Sequence, residues 1–464
     1  MQTNYSDRVQ ELPRLAGPIP PESPLPFFQY VRTMRDSAIA GFHQDVYRRS
    51  IIEMKHWRLR AFIVNDPAGI KHVLIDNADN YVKGMVGIRV LPIRRPKDLE
   101  TNGESSGRQG RAIMSPHFGH RSLQEHAPMI VDAAQRVVNK WKALPDGTVL
   151  EMAEEMSGLT LDIICPIVFS NDSIEVARIM KSVTLRYQAK SNLDVLDLMP
   201  LLDRPWGLYK RRRHRLILSE LDNAVNRLIA GRTERESSEC SDLLGRLLSE
   251  KDSETGAGLS AHEVHTQVTT ILGAGHESAA IALMWIWYLL SLHPRQEAKL
   301  HAELDQVLAG RQPTLDDLAK LSYTHMVIEE ALRLYPPFHT MAWRIALADD
   351  EVCGEKIPRG ATVYIVPWVL HRHISLWDHP EQFDPERFSS EQRKERSRFA
   401  YLPFGLGPRV CIGASFAMTE IMMILATIAQ SYRVRLVPGH AVEPQGLVTL
   451  KARYGLKVTV ERRR

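Results

Sequence analysis

Between Ser260 and Pro294 the chain carries one unbroken helical pattern, and no other stretch restricts the fold as much. The pattern opens on "SAHE", where Ser260 and Glu263 stand at capping-box spacing, each side chain able to satisfy a backbone N–H of the first turn. It closes at Pro294, which cannot continue a helix. The roughly 33 residues between would span about 50 Å at 1.5 Å per residue. In a chain of 464 residues a helix of that length has to cross the centre of the molecule. The run "AAIALMWIWYLL", Ala279 to Leu290, is apolar all round, which suits a core, and it is too short to span a bilayer. The middle, "GAGHES", is the anomaly. Each glycine inside a helix costs about 1 kcal/mol relative to alanine, so the interruption needs a reason. Tight helix packing is one, and close passage over a ligand is another.

Around this helix the pattern is mainly helical. From about Gly110 onward apolar residues recur at three- and four-residue steps, as in "LQEHAPMIVDAAQRVVNKWKAL" and "SDLLGRLLSE". The segment "PTLDDLAKLSYTHMVIEEALRLYPP" reads as two helices, the second stopped by Pro336 and Pro337. "HWRLRAFIV" is extended in character, and "DPAGIKHVLI" opens like a helix with proline in its first turn. "GEKIPRGATVYIVPW" reads as a hairpin turning at "PRG", and "GLVTLKARYGLKVTVE" as a second hairpin. The expected architecture is mainly α with small peripheral β-sheets. A polar tail over residues 1–17 precedes a single domain over 18–464, without repeats or a linker of low complexity.

Charge and cysteine usage narrow the function. A formal net charge of +4 gives no reason to expect nucleic acid as a partner. Cys165, Cys240, Cys353 and Cys411 lie far apart, which fits neither a zinc knuckle nor a secreted disulfide framework, and points to a reducing cytoplasm. The N-terminus is polar and then proline-rich, without the apolar core of a signal peptide, so no transmembrane anchor is expected. The basic run "KRRRHR", Lys210 to Arg215, reads as a solvated helix start, or as a surface that steers an acidic substrate or touches an anionic membrane.

The chemistry concentrates in "PFGLGPRVCIG". Alone, a cysteine before an apolar helix is more often inert core than ligand. Here Cys411 is expected to begin the helix "CIGASFAMTEIMMILATIAQ", whose free N–H groups and positive end favour a thiolate. Gly405, Gly407 and Gly413 let the backbone approach a flat ligand, Phe404 can shield the sulfur, and Arg409 offers a fork of donors for a carboxylate.

Phe404, Gly407, Arg409, Cys411 and Gly413 together match F-x-x-G-x-R-x-C-x-G, a pattern expected by chance about once in ten thousand such chains. This stretch resembles the haem-binding loop of the cytochrome P-450 haem-thiolate monooxygenases, and the likeness extends from about Pro18 to Val460. The resemblance implies the cytochrome P-450 fold with its long central helix crossing a haem b, Cys411 as the axial iron ligand, and Arg409 on a haem propionate. It gives Glu330 and Arg333 of "EALR", otherwise an ordinary ion pair, a structural role together with Arg387 of "PERF" behind the cysteine loop. It places Ala274 over the haem and makes Glu277 and Ser278 the acid and alcohol of proton delivery. Serine stands where the family has threonine; it keeps the hydroxyl and lacks the methyl that fixes the rotamer. Arg111 and Arg344 fall at positions of further propionate contacts, and Gly107 replaces the family's tryptophan.

The resemblance thus implies an O2-dependent hydroxylase or epoxidase of a hydrophobic molecule of terpenoid, fatty-acid or steroid size. Because the chain ends after the C-terminal strands, electrons are expected from a separate ferredoxin and ferredoxin reductase. Two alternatives remain open: a peroxide-using haem-thiolate enzyme, and a non-catalytic haem protein that binds a ligand. Segments expected to border the pocket are "GMVGIRVLPI", "SNLDVLDLMPLLDRPW", "PFHTMAW" and "GLVTLKA".

Overall fold

The computed structural model describes residues 15–56, 59–83, 111, 113–188, 203–233, 242–249, 251, 256 and 258–463. Gly107, Cys240, "GMVGIRVLPI" and most of "SNLDVLDLMPLLDRPW" lie outside these residues. The helices that frame the centre are α1 (His120–Lys142), α2 (Met152–Phe169), α3 (Ser173–Gln188), α4 (Asp203–Thr233), α5 (Ala261–Leu292), α6 (Pro294–Leu308), α7 (Ser322–Leu334) and α8 (Ala414–Ser431).

Helix α5 is the long helix of the sequence, 32 residues, and both halves of its capping box form. Ser260 N–H donates to Glu263 Oε2 at 2.8 Å, and Ser260 Oγ accepts from Glu263 N–H at 3.3 Å. Two apolar cores meet on it. Val264, Val268, Ile271 and Leu272 pack with α2, α3 and α4, whereas Ala279 to Leu290 pack with α1, α7 and α8. The interruption at 273–278 falls between them: Gly273 and Ala274 are exposed, while Gly275 passes close to Ile164 of α2 and the buried His276 accepts from Thr160 at its carbonyl.

Strands β1 (Ile51–His56), β2 (Leu59–Val64), β3 (Tyr81–Lys83), β5 (Ala342–Ala346) and β8 (Thr362–Ile365) form one sheet in the order β1-β2-β8-β5-β3. Its Phe62 and Val363 pack in one cluster with Ile70 and Leu74, from the helical segments after β2, and with Leu402, which leads into the cysteine loop. Smaller sheets join β4 (Val149–Glu151) to β12 (Lys457–Arg462) and β9 (Tyr432–Leu436), β6 (Asp350–Val352) to β7 (Glu355–Ile357), and β10 (Pro444–Gly446) to β11 (Leu450–Ala452).

Neither expected hairpin forms as read. β7 pairs with β6 through the two-residue turn Cys353–Gly354, both at positive φ, while β8 pairs with β5 and β2. A two-residue turn with both centres left-handed matches the strand twist, and it claims β7 before "PRG" can. Likewise β11 pairs with β10, and β12 with β4 and β9.

At the N-terminal end Leu15 is buried and Ala16 is tied at both backbone groups. Its N–H donates to Tyr288 Oη at 3.1 Å, and its carbonyl accepts from Tyr335 Oη at 2.8 Å. The anchoring therefore begins inside the stretch read as a tail. Helix α8 is long and apolar enough by composition to cross a membrane, but Ile421 to Ala429 are buried in the core.

Candidate active site

The cysteine loop is fixed by backbone geometry. Cys411 N–H donates to Phe404 carbonyl at 2.8 Å and Val410 N–H to Gly407 carbonyl at 3.0 Å. Gly405 and Gly407 both hold positive φ, and a Cβ on Gly407 would collide with the Leu74 carbonyl oxygen. Only glycine meets both demands at that position.

Helix α8 begins at Ala414, with Gly413 as its N-cap, three residues later than the sequence reading placed it. Val410, at ψ 150°, is extended and lifts the chain off the helical path before Cys411. The thiol is therefore presented ahead of the helix. Crowding by the loop pushes the Cys411 thiol pKa up, while a Gly413 backbone N–H and nearby Arg111 pull the other way. Pro408 to Cys411 are nevertheless exposed on one side. Arg111 donates to the Val410 carbonyl, so it braces the loop directly.

Gly273 and Ala274 are exposed in the middle of a helix whose flanks are core, and among the described residues nothing beyond the helix's own backbone lies within 4 Å of where a Gly273 side chain would start. Ser278 Oγ donates to Ala274 carbonyl at 2.7 Å, tying the hydroxyl across the small-residue turn. Glu277 Oε1 sits 2.6 Å from Lys451 Nζ and accepts from Thr449 Oγ1 at 3.0 Å. Burial raises the Glu277 pKa, but Lys451, His276 and Thr449 outweigh it and leave the carboxyl below its ordinary value. No motif points to Lys451 or Thr449, because their contact with Glu277 spans more than 170 residues.

A cluster of cations completes the surroundings. Lys83 on β3 is registered directly opposite Arg344 on β5, a like-charge pair that opposes sheet formation when nothing lies between. Burial pulls the Arg344 pKa down to about 10, and Arg409 adds to the effect; burial, Arg409 and Arg344 lower Lys83 in turn. Three mutually repelling cations gathered beside an exposed cysteine fit a flat group carrying carboxylates. Lys83 is a member the sequence reading missed, since the register of a three-residue strand is invisible in its own residues.

Behind the loop, Glu330 and Arg333 are fully buried and doubly hydrogen-bonded, Nε to Oε2 at 2.6 Å and Nη2 to Oε1 at 2.7 Å. Arg387 Nε lies 3.4 Å from Glu330 Oε1. Arg333 also donates to the carbonyls of His371, Pro380 and Gln382. His371, unnoticed in the sequence, links this cluster to the loop: its Nε2 accepts from Leu402 N–H at 2.9 Å and its Nδ1 faces the Arg333 carbonyl. Burial and Arg333 hold its pKa far below the ordinary value, so the ring is neutral and Nδ1 carries the proton that Arg333's carbonyl accepts. An open groove of about 690 Å³ lined by Gly17, Tyr47, His293, Trp368 and Arg372 contains neither Cys411 nor the cations beside it.

The chain matches the family model "Cytochrome P450" over residues 18–458. It belongs to the cytochrome P450 family. Cyclooctatin synthase of Streptomyces melanosporofaciens is 33% identical over 87% of this chain and 86% of its own length. Cyclooctat-9-en-7-ol 5-monooxygenase of the same organism is 33% identical over 84% and 83%. Pentalenene oxygenase of Streptomyces avermitilis is 32% identical over 77% and 79%. The crystal structure of the cytochrome P450DA heme domain superimposes with a TM-score of 0.80 at 26% identity, covering 97% of this chain and 98% of that one. This P450 is thus an oxidoreductase that uses haem iron, O2 and electrons from a redox partner to oxygenate a hydrophobic molecule.

Proposed function

We propose that this P450 holds haem b, with Cys411 as the residue that would supply the iron's thiolate ligand, and oxygenates a terpenoid. The observation that carries the assignment is the exposed Cys411 of the glycine-framed loop, with Lys83, Arg344 and Arg409 gathered close to one another beside it. The haem, when bound, supplies O2 activation, and a thiolate ligand favours cleavage of the O–O bond. The chain's own residues do the rest. Arg409, Arg344 and Lys83 would hold the propionates; Arg111 holds the Val410 backbone; Phe404 and Gly405 shape the loop; Gly413 donates its N–H to the sulfur. Glu330, Arg333 and Arg387 hold the scaffold on which the loop rests. On the other face Ala274 makes room, Ser278 offers a hydroxyl, and Glu277 moves protons from solvent.

Terpenoid chemistry is favoured over fatty acids and steroids by the names of the cyclooctat-9-en-7-ol and pentalenene oxygenases among the relatives. A ferredoxin and its reductase are the proposed electron source, acting on a single domain in the cytoplasm. The exposed Lys394 and Arg398, just ahead of the cysteine loop, would face an acidic donor. The test is the optical spectrum of the reduced protein under carbon monoxide. The native protein is expected to show the red-shifted thiolate band and Cys411→Ala to lose it; a colourless protein after haemin supply refutes the assignment. A spin-state screen of cyclic terpenes and terpene alcohols against fatty acids and steroids tests the substrate class. Product formed with peroxide alone, indifferent to reduced ferredoxin, would refute the electron source.

A further inference from the structure

His339 ties together "PFHTMAW" and "GLVTLKA", two of the segments expected to border the pocket. Its Nε2 lies 2.8 Å from the Leu447 carbonyl, and its Nδ1 lies 2.9 Å from Thr340 Oγ1. The ring has little freedom to turn. It is 3% exposed, and a Cβ on Gly446 would come within 3.2 Å of its Cδ2. The His339 carbonyl accepts from Trp368 N–H at 3.2 Å, and Leu447 N–H donates to the Thr449 carbonyl at 3.1 Å, so both ends of the link are held.

These contacts fix where the protons are. A carbonyl only accepts, so Nε2 carries a proton and donates it to Leu447. Burial brings the His339 pKa down to about 4, so the ring is neutral and Nδ1 keeps a lone pair. Nδ1 therefore accepts from the Thr340 hydroxyl, whose single proton is spent there. The Thr340 oxygen is left as an acceptor, and among the described residues nothing donates to it. Its place follows from β5. Side chains alternate along an extended strand, and Met341 N–H already pairs with the Ile365 carbonyl ahead of β5. Thr340 thus shares the face of Arg344, one of the clustered cations, about 13 Å along the strand from it. At that end it meets the Leu447–Thr449 turn, from which Thr449 reaches Glu277 on α5 at 3.0 Å. Thr340 is half-buried, between the cations that would hold the propionates and the helix that passes over them.

We propose that Thr340 is a specificity-determining residue that accepts a hydrogen bond from a hydroxyl on the substrate, with His339 as the positioning residue that keeps the Thr340 proton turned away. The inference rests on the terpenoid reading and deepens it: the terpenoid arrives already hydroxylated, as an alcohol. An alcohol donates to the Thr340 oxygen. A ketone of the same skeleton sets two acceptors face to face, and a hydrocarbon leaves that oxygen desolvated without a partner. A threonine alone could serve either donor or acceptor by turning its hydroxyl. The ring beside it removes that choice.

The test uses the full-length, haem-loaded protein and two matched sets of probes: menthane, menthol and menthone, then decane, decanol and decanone. Affinity is read from the spin-state shift of the ferric protein. Thr340→Val, which removes the hydroxyl and keeps the outline of the side chain, is expected to weaken menthol about fivefold and to leave menthane and menthone within about twofold. His339→Phe is expected to free the Thr340 proton, so that menthone gains and the preference for menthol shrinks. Nitrogen NMR of the histidine-labelled, reduced, carbon monoxide-bound protein reads the ring itself, and a proton on Nε2 with none on Nδ1 is expected. Equal weakening of all three probes by Thr340→Val, or of none, overturns the proposal, and so does a proton on Nδ1. Should His339→Phe fail to load haem, Thr340→Val still decides both readouts, because it perturbs the Nδ1 signal and so assigns it. If the menthane set leaves the spin state unchanged, it is the terpenoid reading that fails, while the decane set and the ring NMR still decide what Thr340 accepts.

Discussion

Two carboxylate–cation pairs in this molecule look alike as contacts and differ in everything around them. Glu330 and Arg333 are both 0% exposed, and Arg333 spends its remaining donors on three backbone carbonyls. Glu277 and Lys451 are 22% and 20% exposed, share one short contact, and leave the ammonium under-bonded. The first pair is over-determined, because breaking one bond leaves several holding the same geometry. In the second, Glu277 also accepts from Thr449, while the Lys451 ammonium has no further ion-pair partner among the described residues. Charge pairing alone does not measure how firmly a side chain is held; the further bonds on the cation do.

The largest effect that could break this contrast is expected at Glu330. Glu330→Ala leaves Arg333 charged and buried without its partner, which costs about 3–5 kcal/mol. Little folded, haem-loaded protein is expected in expression yield and thermal melts, whereas Lys451→Met is expected to fold; equal losses would erase the distinction between the pairs.

Glu420 on α8 sharpens it as a third carboxylate on which burial alone acts, pushing its pKa from 4.5 up to about 8. With the folded-state pKa raised, its stabilising contribution is complete below pH 4.5 and is lost as pH rises through 8. The window corresponds to about 5 kcal/mol. Glu420→Gln is expected to be near neutral at pH 5 and clearly stabilising at pH 8, read as the difference in melting temperature.

Gly407→Ala forces a left-handed non-glycine into contact with Leu74, at a cost of about 2 kcal/mol. Lower melting temperature and faster haem loss are expected; an unaffected variant would mean the loop is as adjustable as the Glu277 side. Smallest in stability is Ser278→Ala, within about 0.5 kcal/mol. It is expected to load haem normally and to lose electrons to hydrogen peroxide, measured as peroxide per NAD(P)H consumed; full coupling would remove Ser278 from proton delivery.

How much of this was written locally explains what could be read. The capping box of α5 and the frame of Cys411 are contiguous patterns, each dictated by backbone demands within a few residues, and both stand in the structure. The start of α8 was misread because apolar periodicity continues back through Ile412, while Val410 turns the chain away from helix. Both hairpins were misread because strand pairing is settled by competition: Cys353–Gly354 makes the tighter turn and takes β7. Lys83, His371, Thr449 and Lys451 were illegible for a different reason. Each acts on a partner set by another segment's register, and nothing in the residues beside it announces that.

The junction on α5 has one further consequence. Helix α2 enters both cores, through Leu159, Ile163 and Ile167 on one side and Leu161, Ile164 and Val168 on the other, and Ile412 beside Cys411 packs on the second. A substitution at Ile271 or Val268 is therefore felt along the cysteine loop as well as within the module of α2, α3 and α4, because a close-packed interior transmits strain.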